Sequence, residues 1–190
     1  IKKNKLNSAQ RLVINNQEEC IKDARFLASW SGLAMSQRKV AEALDLINKS
    51  LQISPNDPDT LAARAMIRSQ TNNIEGALED LDNLLKIDRR VPEEIYSMRA
   101  LVKNKGLDFE GALADSNKAI SIKPHEQAYR ARGWAKTFLG DFAGALEDLN
   151  QSIKMDPYPP NAFFLRGIAN GGLKNNDEAC KDFETAKRLD

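Results

Sequence analysis

The strongest constraint on the fold is internal repetition with a period of about 34 residues. Five segments align on a central alanine, and the spacing between successive alanines stays within one position of that period. These alanines are Ala43, Ala77, Ala112, Ala145 and Ala179. A chain with a fixed period of this length is expected to stack similar units, because one unit cannot bury its own apolar face alone.

Other positions keep phase with these alanines and predict two helices in every repeat. A small residue lies twelve positions before each alanine, and a bulky apolar residue lies four positions earlier still. The small residues are Ser31, Ala65, Ala100, Gly133 and Gly167, and the bulky ones are Leu27, Leu61, Tyr96, Tyr129 and Phe163. Helix-breaking residues, such as "GD" at 140–141, separate this first predicted helix of the repeat from a second one, whose apolar residues recur at helical spacing. Twelve positions after the alanines come Pro55, Arg89, Pro124 and Pro157, and proline there ends a helix.

This pattern resembles the tetratricopeptide repeat family. The strongest match is residues 128–157, where Tyr129, Gly133, Ala145 and Pro157 fall where the family places such residues. HEAT and armadillo units are longer, and pentatricopeptide units space their small residues differently, so these solenoids fit less well. The resemblance implies an all-α fold, a right-handed superhelical solenoid of helix-turn-helix hairpins.

In the family's frame the chain divides into five repeats and an N-terminal segment. The repeats span residues 24–57, 58–92, 93–125, 126–159 and 160–190, with the fifth truncated, and together they are expected to form one solenoid domain. Residues 1–23 are interpreted either as an amphipathic helix that caps the array or as the remnant of an upstream repeat. Because the chain begins at Ile1 and stops within the pattern, we expect it to be a fragment of a longer protein.

Each of the last four repeats carries an arginine and an aspartate sixteen positions apart. The pairs are Arg64 with Asp80, Arg99 with Asp115, Arg132 with Asp148, and Arg166 with Asp182. The first repeat lacks both partners and has Trp30 and Leu46 instead, and the family usually has apolar residues at both positions. A catalytic or ligand site is not expected to recur four times at identical framework positions. We therefore predict a partly buried ion pair that braces each hairpin.

The resemblance implies a binding face on the first helix of each repeat, which in the family lines a concave groove. The predicted partner-binding residues are Met66, Glu94, Ser97, Leu101, Asn104, Gln127, Arg130, Trp134, Asn161, Phe164 and Ile168. The apolar members form a strip that suits an extended peptide or an amphipathic helix. Trp134 and Arg130 are of residue types enriched in binding hot spots. The alternative for Leu101, Trp134 and Ile168 is packing between neighbouring repeats.

Several classes of partner are not expected. Family members that bind heat-shock chaperone C-terminal peptides use lysine, asparagine and arginine at set positions of three consecutive repeats, and no three repeats here supply that set. The net charge of +1, from 28 basic and 27 acidic residues, lacks the basic excess of a nucleic-acid-binding protein. No apolar run approaches the roughly 18 residues of a membrane span, so membrane insertion is not expected.

No catalytic, cofactor or metal site is predicted, and we do not expect an enzyme. Catalysis needs a nucleophile, a base or metal ligands held together, and the single histidine, His125, is interpreted as a solvated loop residue. Cys180 aligns with leucines such as Leu146 and is interpreted as a small core residue. Cys20 and Cys180 form no CxxC pair, which favours the cytoplasm or another reducing intracellular compartment.

The functional prediction is an interaction scaffold that binds a peptide segment or helix of another protein in the concave groove. The alternative is a self-association module of a larger protein, and hence a homo-oligomer. That alternative rests on an array that stops without a polar capping helix and leaves an apolar face at its C-terminal end.

Overall fold

The computed structural model describes residues 22–87 and 92–189. Within these ranges the chain forms α-helices joined by short turns, and no residue is in a strand, so the predicted all-α class is confirmed. The interpretations of residues 1–21, which include Cys20, and of Arg89 concern residues outside the described ranges. The chain divides into two compact bodies, an N-terminal body over Ile1–Ile87 and a C-terminal body over Asp88–Asp190.

The described part of the N-terminal body consists of two helical hairpins. Its helices are α1 (Ala24–Ser36), α2 (Val40–Ile53), α3 (Pro58–Gln70) and α4 (Ile74–Ile87). Helix α1 packs on α2, α3 packs on α4, and α2 contacts α3 between the hairpins. The core between α1, α2 and α3 contains Leu27, Ala43, Ile47 and Ile67.

The described part of the C-terminal body consists of three helical hairpins. Its helices are α5 (Pro92–Lys105), α6 (Phe109–Ile122), α7 (Glu126–Phe138), α8 (Phe142–Met155), α9 (Pro160–Gly172) and α10 (Asn176–Leu189). Within each hairpin the two helices pack together, and each hairpin also packs on the next. The first helices α5, α7 and α9 lie side by side, because α7 contacts both of the others. The C-terminal body therefore presents one face made of three first helices.

Helix ends follow local chemistry that recurs in the sequence. Asp23, Asp57, Asp108 and Asp141 each precede a helix and accept backbone N–H bonds from its first turn. The turn inside each hairpin contains one residue with positive φ, at Arg38, Asn72, Leu107, Gly140 and Lys174. Gly140 adopts this conformation without a Cβ penalty, whereas Leu107 does not.

Small residues allow the two helices of a hairpin to cross closely. A Cβ atom added at Gly133 would lie 2.7 Å from Leu149 Cγ, and one at Gly167 would lie 2.6 Å from Phe183 Cε1. Both distances are shorter than a van der Waals contact, so a larger residue would separate the helices. The aligned alanines Ala43, Ala77, Ala112 and Ala145 are all fully buried at these crossings.

The interpretation of Cys180 as a core residue is wrong, because the thiol is exposed. The equivalent Leu146 packs against the following helix α9, together with Leu165 and Ala169. Cys180 lies on the corresponding face of α10, and no helix of the described residues covers that face. Burial at this position thus depends on the next helix and not on the hairpin itself.

Candidate functional site

All four predicted arginine–aspartate pairs are formed. In each pair the arginine Nε lies 2.8–3.0 Å from aspartate Oδ2, and Nη2 lies 2.6–2.7 Å from Oδ1. This is the two-pronged geometry in which planar guanidinium and carboxylate groups match. The aspartates are buried, and the arginines keep about a fifth of their side chains exposed.

Sequence reasoning missed a third member of each group, four positions after the arginine. Arg68, Lys103, Lys136 and Asn170 each donate to the same aspartate at 2.8–3.0 Å. Lys136 also lies 3.3 Å from the carbonyl oxygen of Gly144, at the start of the second helix. The recurrence of a hydrogen-bond donor at this spacing was visible in the sequence. Each buried carboxylate therefore accepts hydrogen bonds from side chains on two successive turns of the first helix.

Arg64, Arg132 and Arg166 also join neighbouring repeats inside each body. Nη1 of Arg132 donates to Asn117 Oδ1 at 3.0 Å, and Nη1 of Arg166 donates to Asn150 Oδ1 at 2.8 Å. Arg64 makes the equivalent bond to Asn48 at 3.0 Å. Each of these arginines thus connects its own hairpin to the second helix of the preceding one.

The environment of Arg132 shows why these groups act as braces and not as reactive sites. The hydrogen bond to Asp148 raises the pKa of Arg132 above its already high usual value, so the guanidinium stays charged. Its Cζ atom lies 5.6 Å from the centre of the Tyr129 ring. All three guanidinium nitrogens donate hydrogen bonds to Asp148 or Asn117, so each of them is engaged within the protein. The first repeat replaces the pair by packing Trp30 against a core that contains Leu46.

The predicted partner-binding residues differ in exposure. Met66, Glu94, Asn161 and Phe164 are exposed, Leu101, Gln127, Arg130, Trp134 and Ile168 are half-buried, and Ser97 and Asn104 are buried. Met66 belongs to the N-terminal body, and the other ten belong to the C-terminal body. The latter all lie on α5, α7 and α9.

The two buried members are occupied by contacts inside the protein. Asn104 donates to the carbonyl oxygen of Ala131 at 2.8 Å and so joins α5 to α7. The Ser97 hydroxyl lies 2.9 Å from the Glu93 carbonyl oxygen and 2.9 Å from His125 Nε2. His125 lies in the loop before α7 as predicted, but its ring is half-buried and bonded and not simply solvated. Its other ring nitrogen contacts the carbonyl oxygen of Lys123 at 2.9 Å, so the imidazole orders the turn before α7.

Three half-buried members also take part in packing or pairing. Trp134 packs against the cluster that includes Leu149 and Leu165, and Leu101 packs against a separate cluster between α5 and α7. Arg130 Nε donates to Glu126 Oε1 at 2.7 Å, one helical turn earlier. All three present part of their surface to solvent, and Leu101 and Trp134 use the rest to join neighbouring repeats.

Phe164 is the most exposed apolar side chain of the set in the C-terminal body, with 51% of its surface accessible. Its ring lies 5.7 Å from that of Phe183 on α10. Together with Pro160, Asn161, Ala186 and Lys187 they line an open depression of about 490 Å³. Sequence reasoning missed Phe183, although it is the aromatic residue at a position that holds Ile47, Leu81, Ser116 and Leu149 in the other repeats.

The described residues contain neither a metal-binding cluster nor a membrane-spanning helix. Residues 22–87 and 92–189 contain no group of three or more histidine, cysteine, aspartate or glutamate side chains placed to hold a metal ion. Within the same ranges no helix combines the length and the apolar character needed to cross a bilayer.

Comparison with known proteins identifies the repeat. Residues 126–159 match a family model described as tetratricopeptide repeat. No curated protein matches the chain. A solved tetratricopeptide repeat protein from Parabacteroides merdae is similar with a TM-score of 0.75 and 20% identity, over 97% of this chain and 76% of that one.

Two further solved structures share the fold. MamA from Desulfovibrio magneticus RS-1 is similar with a TM-score of 0.67 and 18% identity, over 87% of this chain and 94% of that one. YrrB, described as a TPR protein with an unusual peptide-binding site, has a TM-score of 0.61 and 18% identity, over 93% of this chain and 91% of that one. At these identities the likeness is one of fold. Residues 126–159 are thus a tetratricopeptide repeat, and the helical hairpins of the described residues have the fold of solved tetratricopeptide repeat proteins.

Proposed function

We propose that this protein is an interaction scaffold that binds a peptide segment or an amphipathic helix of another protein. The binding surface in this proposal is the face of the C-terminal body made by α5, α7 and α9, together with the adjoining α10 residues Phe183 and Ala186. Phe164 carries the proposal, because a half-exposed aromatic side chain beside an open apolar depression is a ready anchor position. Peptide binding by YrrB, a protein of the same fold, supports the same class of partner.

The chemistry around Phe164 indicates what the partner presents. Phe183 and Ala186 add apolar surface, so an apolar side chain of the partner would enter the depression. The Asn161 amide lies at the same depression and can pair with a peptide N–H or carbonyl group. On the same helices Glu94 and Gln127 supply polar surface, and Trp134 and Ile168 supply half-buried apolar surface. An apolar anchor with flanking polar backbone contacts fits this arrangement.

Affinity capture with Phe164→Ala beside the wild-type chain tests the proposal. Phe164 is half-exposed, so its truncation is expected to leave the fold intact and to reduce recovery of a specific partner about tenfold or more. Tyr158→Ala is the matched control, because Tyr158 is an exposed aromatic residue in the loop before α9. Equal recovery with Phe164→Ala and Tyr158→Ala would remove this surface as the binding site.

Self-association is the second candidate, because the same apolar depression could receive another copy of the chain. Light scattering after size-exclusion chromatography separates the two. A monomer at micromolar concentration argues against self-association. A dimer that Phe164→Ala converts to monomer would establish self-association in place of binding to another protein.

A further inference from the structure

A cleft between α8, α9 and α10 lies beside the ion pair of the fifth repeat. It encloses about 340 Å³ and is open to solvent. Its lining combines one leucine with charged and amide groups, among them Leu146, Arg166, Asn170, Glu178, Lys181 and Asp182. A volume of this size is at the lower end for small-ligand sites, so the cleft suits a single side chain of a partner.

In the three preceding repeats a cation of the first helix reaches the equivalent place. Arg68, Lys103 and Lys136 each hold a charged nitrogen 2.8–2.9 Å from Oδ2 of the buried aspartate. The same nitrogen lies 2.8–3.5 Å from the carbonyl oxygen of the glycine four positions before that aspartate. One charged nitrogen therefore joins a carboxylate and a carbonyl oxygen, and this arrangement recurs three times.

The fifth repeat changes both sides of this arrangement. Asn170 replaces the cation, and its amide donates to Asp182 Oδ2 at 3.0 Å. Glu178 replaces the glycine and adds a carboxylate to the cleft. Among the described residues Asp182 pairs with one cation, Arg166, whereas each aspartate of the three preceding repeats pairs with two. The cleft thus contains the acceptors of a second cation.

A further positive charge at this place has a precedent within the chain. The two basic and two acidic side chains of the cleft balance, so an added cation would leave one net positive charge. The third repeat already carries that balance, because Arg99 and Lys103 pair with the single carboxylate of Asp115, and its residues aligned with Glu178 and Lys181 are uncharged. Lys181 is 71% exposed, so solvent screens its repulsion of an incoming cation.

The cleft lies on a side of the hairpins that stays open where another hairpin follows. Asn117 and Glu147 align with Asn150 and Lys181 of the cleft. Both are exposed, although the fifth hairpin follows them in the chain. A partner can therefore reach this place without displacing a helix of the array.

We propose that this cleft binds the side chain of a lysine from a partner protein. The ammonium group lies between Asp182 Oδ2 and the Glu178 carbonyl oxygen, as the Lys136 nitrogen lies between the equivalent atoms of its own hairpin. The methylene groups pack along Leu146. None of the residues that line this cleft lines the depression beside Phe164, so the inference does not depend on the function proposed for that surface.

Titration of the full chain with Nα-acetyl-lysine methylamide, followed by NMR of backbone and asparagine side-chain amides, tests the proposal. Saturable shifts are expected at Asn170 and Asp182, with a dissociation constant of about 1 mM for a ligand of this size. The Nε-acetylated derivative is the matched probe, because it keeps the chain and lacks the charge. It should bind at least about tenfold more weakly.

Asn170→Lys should fill the cleft from within, as Lys136 does in the fourth repeat. This variant is expected to lose the probe-induced shifts and to melt at or above the temperature of the wild-type chain, since Asp182 gains a second cation. Ser121→Lys is the matched control, because it adds the same charge at an exposed position of α6. It should leave the binding of the probe unchanged.

Each outcome decides the proposal. It would be overturned by the absence of saturable shifts in the wild-type chain, by equal binding to Asn170→Lys, or by equal binding of the acetylated derivative. A melting temperature of Asn170→Lys below that of Ser121→Lys would also contradict it, because the place would then not favour an ammonium group. Putrescine, a free diamine, would take the place of a partner's lysine if it bound at least about tenfold more tightly than the lysine derivative.

Discussion

At the scale of single residues, the notable feature is a buried carboxylate held by two donors of the same helix. Asp148 is almost inaccessible and accepts bonds from both Arg132 and Lys136. A buried ion pair offers little net stability over a well-packed apolar pair, but leaving one partner unpaired is costly. The first repeat supports this comparison within the chain, since it uses Trp30 and Leu46 at the same two positions.

Removing one partner of the brace is expected to cost more than replacing both. Arg132→Ala should lower the free energy of unfolding by about 2 kcal/mol, below the usual loss for a broken buried pair, because Lys136 still pairs with Asp148. The double change Arg132→Leu with Asp148→Leu should cost less. Thermal or urea unfolding measures both variants against the wild-type chain. A single variant as stable as wild type, or a double variant less stable than the single one, would contradict this account.

At the scale of helices, the distance between the two helices of a hairpin depends on one small residue. Alanine has a higher helix propensity than glycine, so an unhindered glycine-to-alanine change in a helix normally stabilises by roughly 0.5–1 kcal/mol. At Gly133 the added carbon would meet Leu149 at 2.7 Å, within a fully buried crossing. Packing and propensity therefore oppose each other at this position, and packing should dominate.

Gly133→Ala is accordingly expected to destabilise the protein by about 1–3 kcal/mol. Gly32→Ala in α1 is the matched control, since nothing lies within 4 Å of the carbon it would add. That control should be neutral or stabilising. Urea unfolding of both variants under the same conditions gives the comparison. A Gly133→Ala variant more stable than wild type would contradict the close packing of this crossing.

At the scale of the whole molecule, periodicity predicted the helical hairpins but not the exposure of every side chain. The recurrent arginine–aspartate spacing predicted an ion pair across each hairpin, and the pairs are present. Cys180 was misassigned because burial at its position depends on a following helix. The contact of His125 was missed because its partner, Ser97, lies 28 positions earlier, on α5. The recurrent ion pair was readable from spacing, whereas contacts that do not recur in every repeat were not.

The exposure of the candidate binding residues also depends on contacts that the repeat pattern does not specify. Trp134 was the most attractive residue in the sequence, but much of its surface packs between hairpins. Phe164 is more exposed, because no helix within the described residues covers it and its neighbour Phe183. The identity of the anchor therefore depended on neighbouring side chains, which the repeat pattern alone does not specify.

The central claim is that bracing and binding are carried by different residues. Its most direct test is a pair of measurements on each variant: the dissociation constant for a captured partner by calorimetry, and the melting temperature. Phe164→Ala should weaken binding about tenfold or more and leave the melting temperature near that of wild type. The double variant Arg132→Leu with Asp148→Leu should change the melting temperature and keep the dissociation constant within about twofold, measured well below unfolding. The opposite pattern, with binding lost in the double variant and kept in Phe164→Ala, would contradict the account.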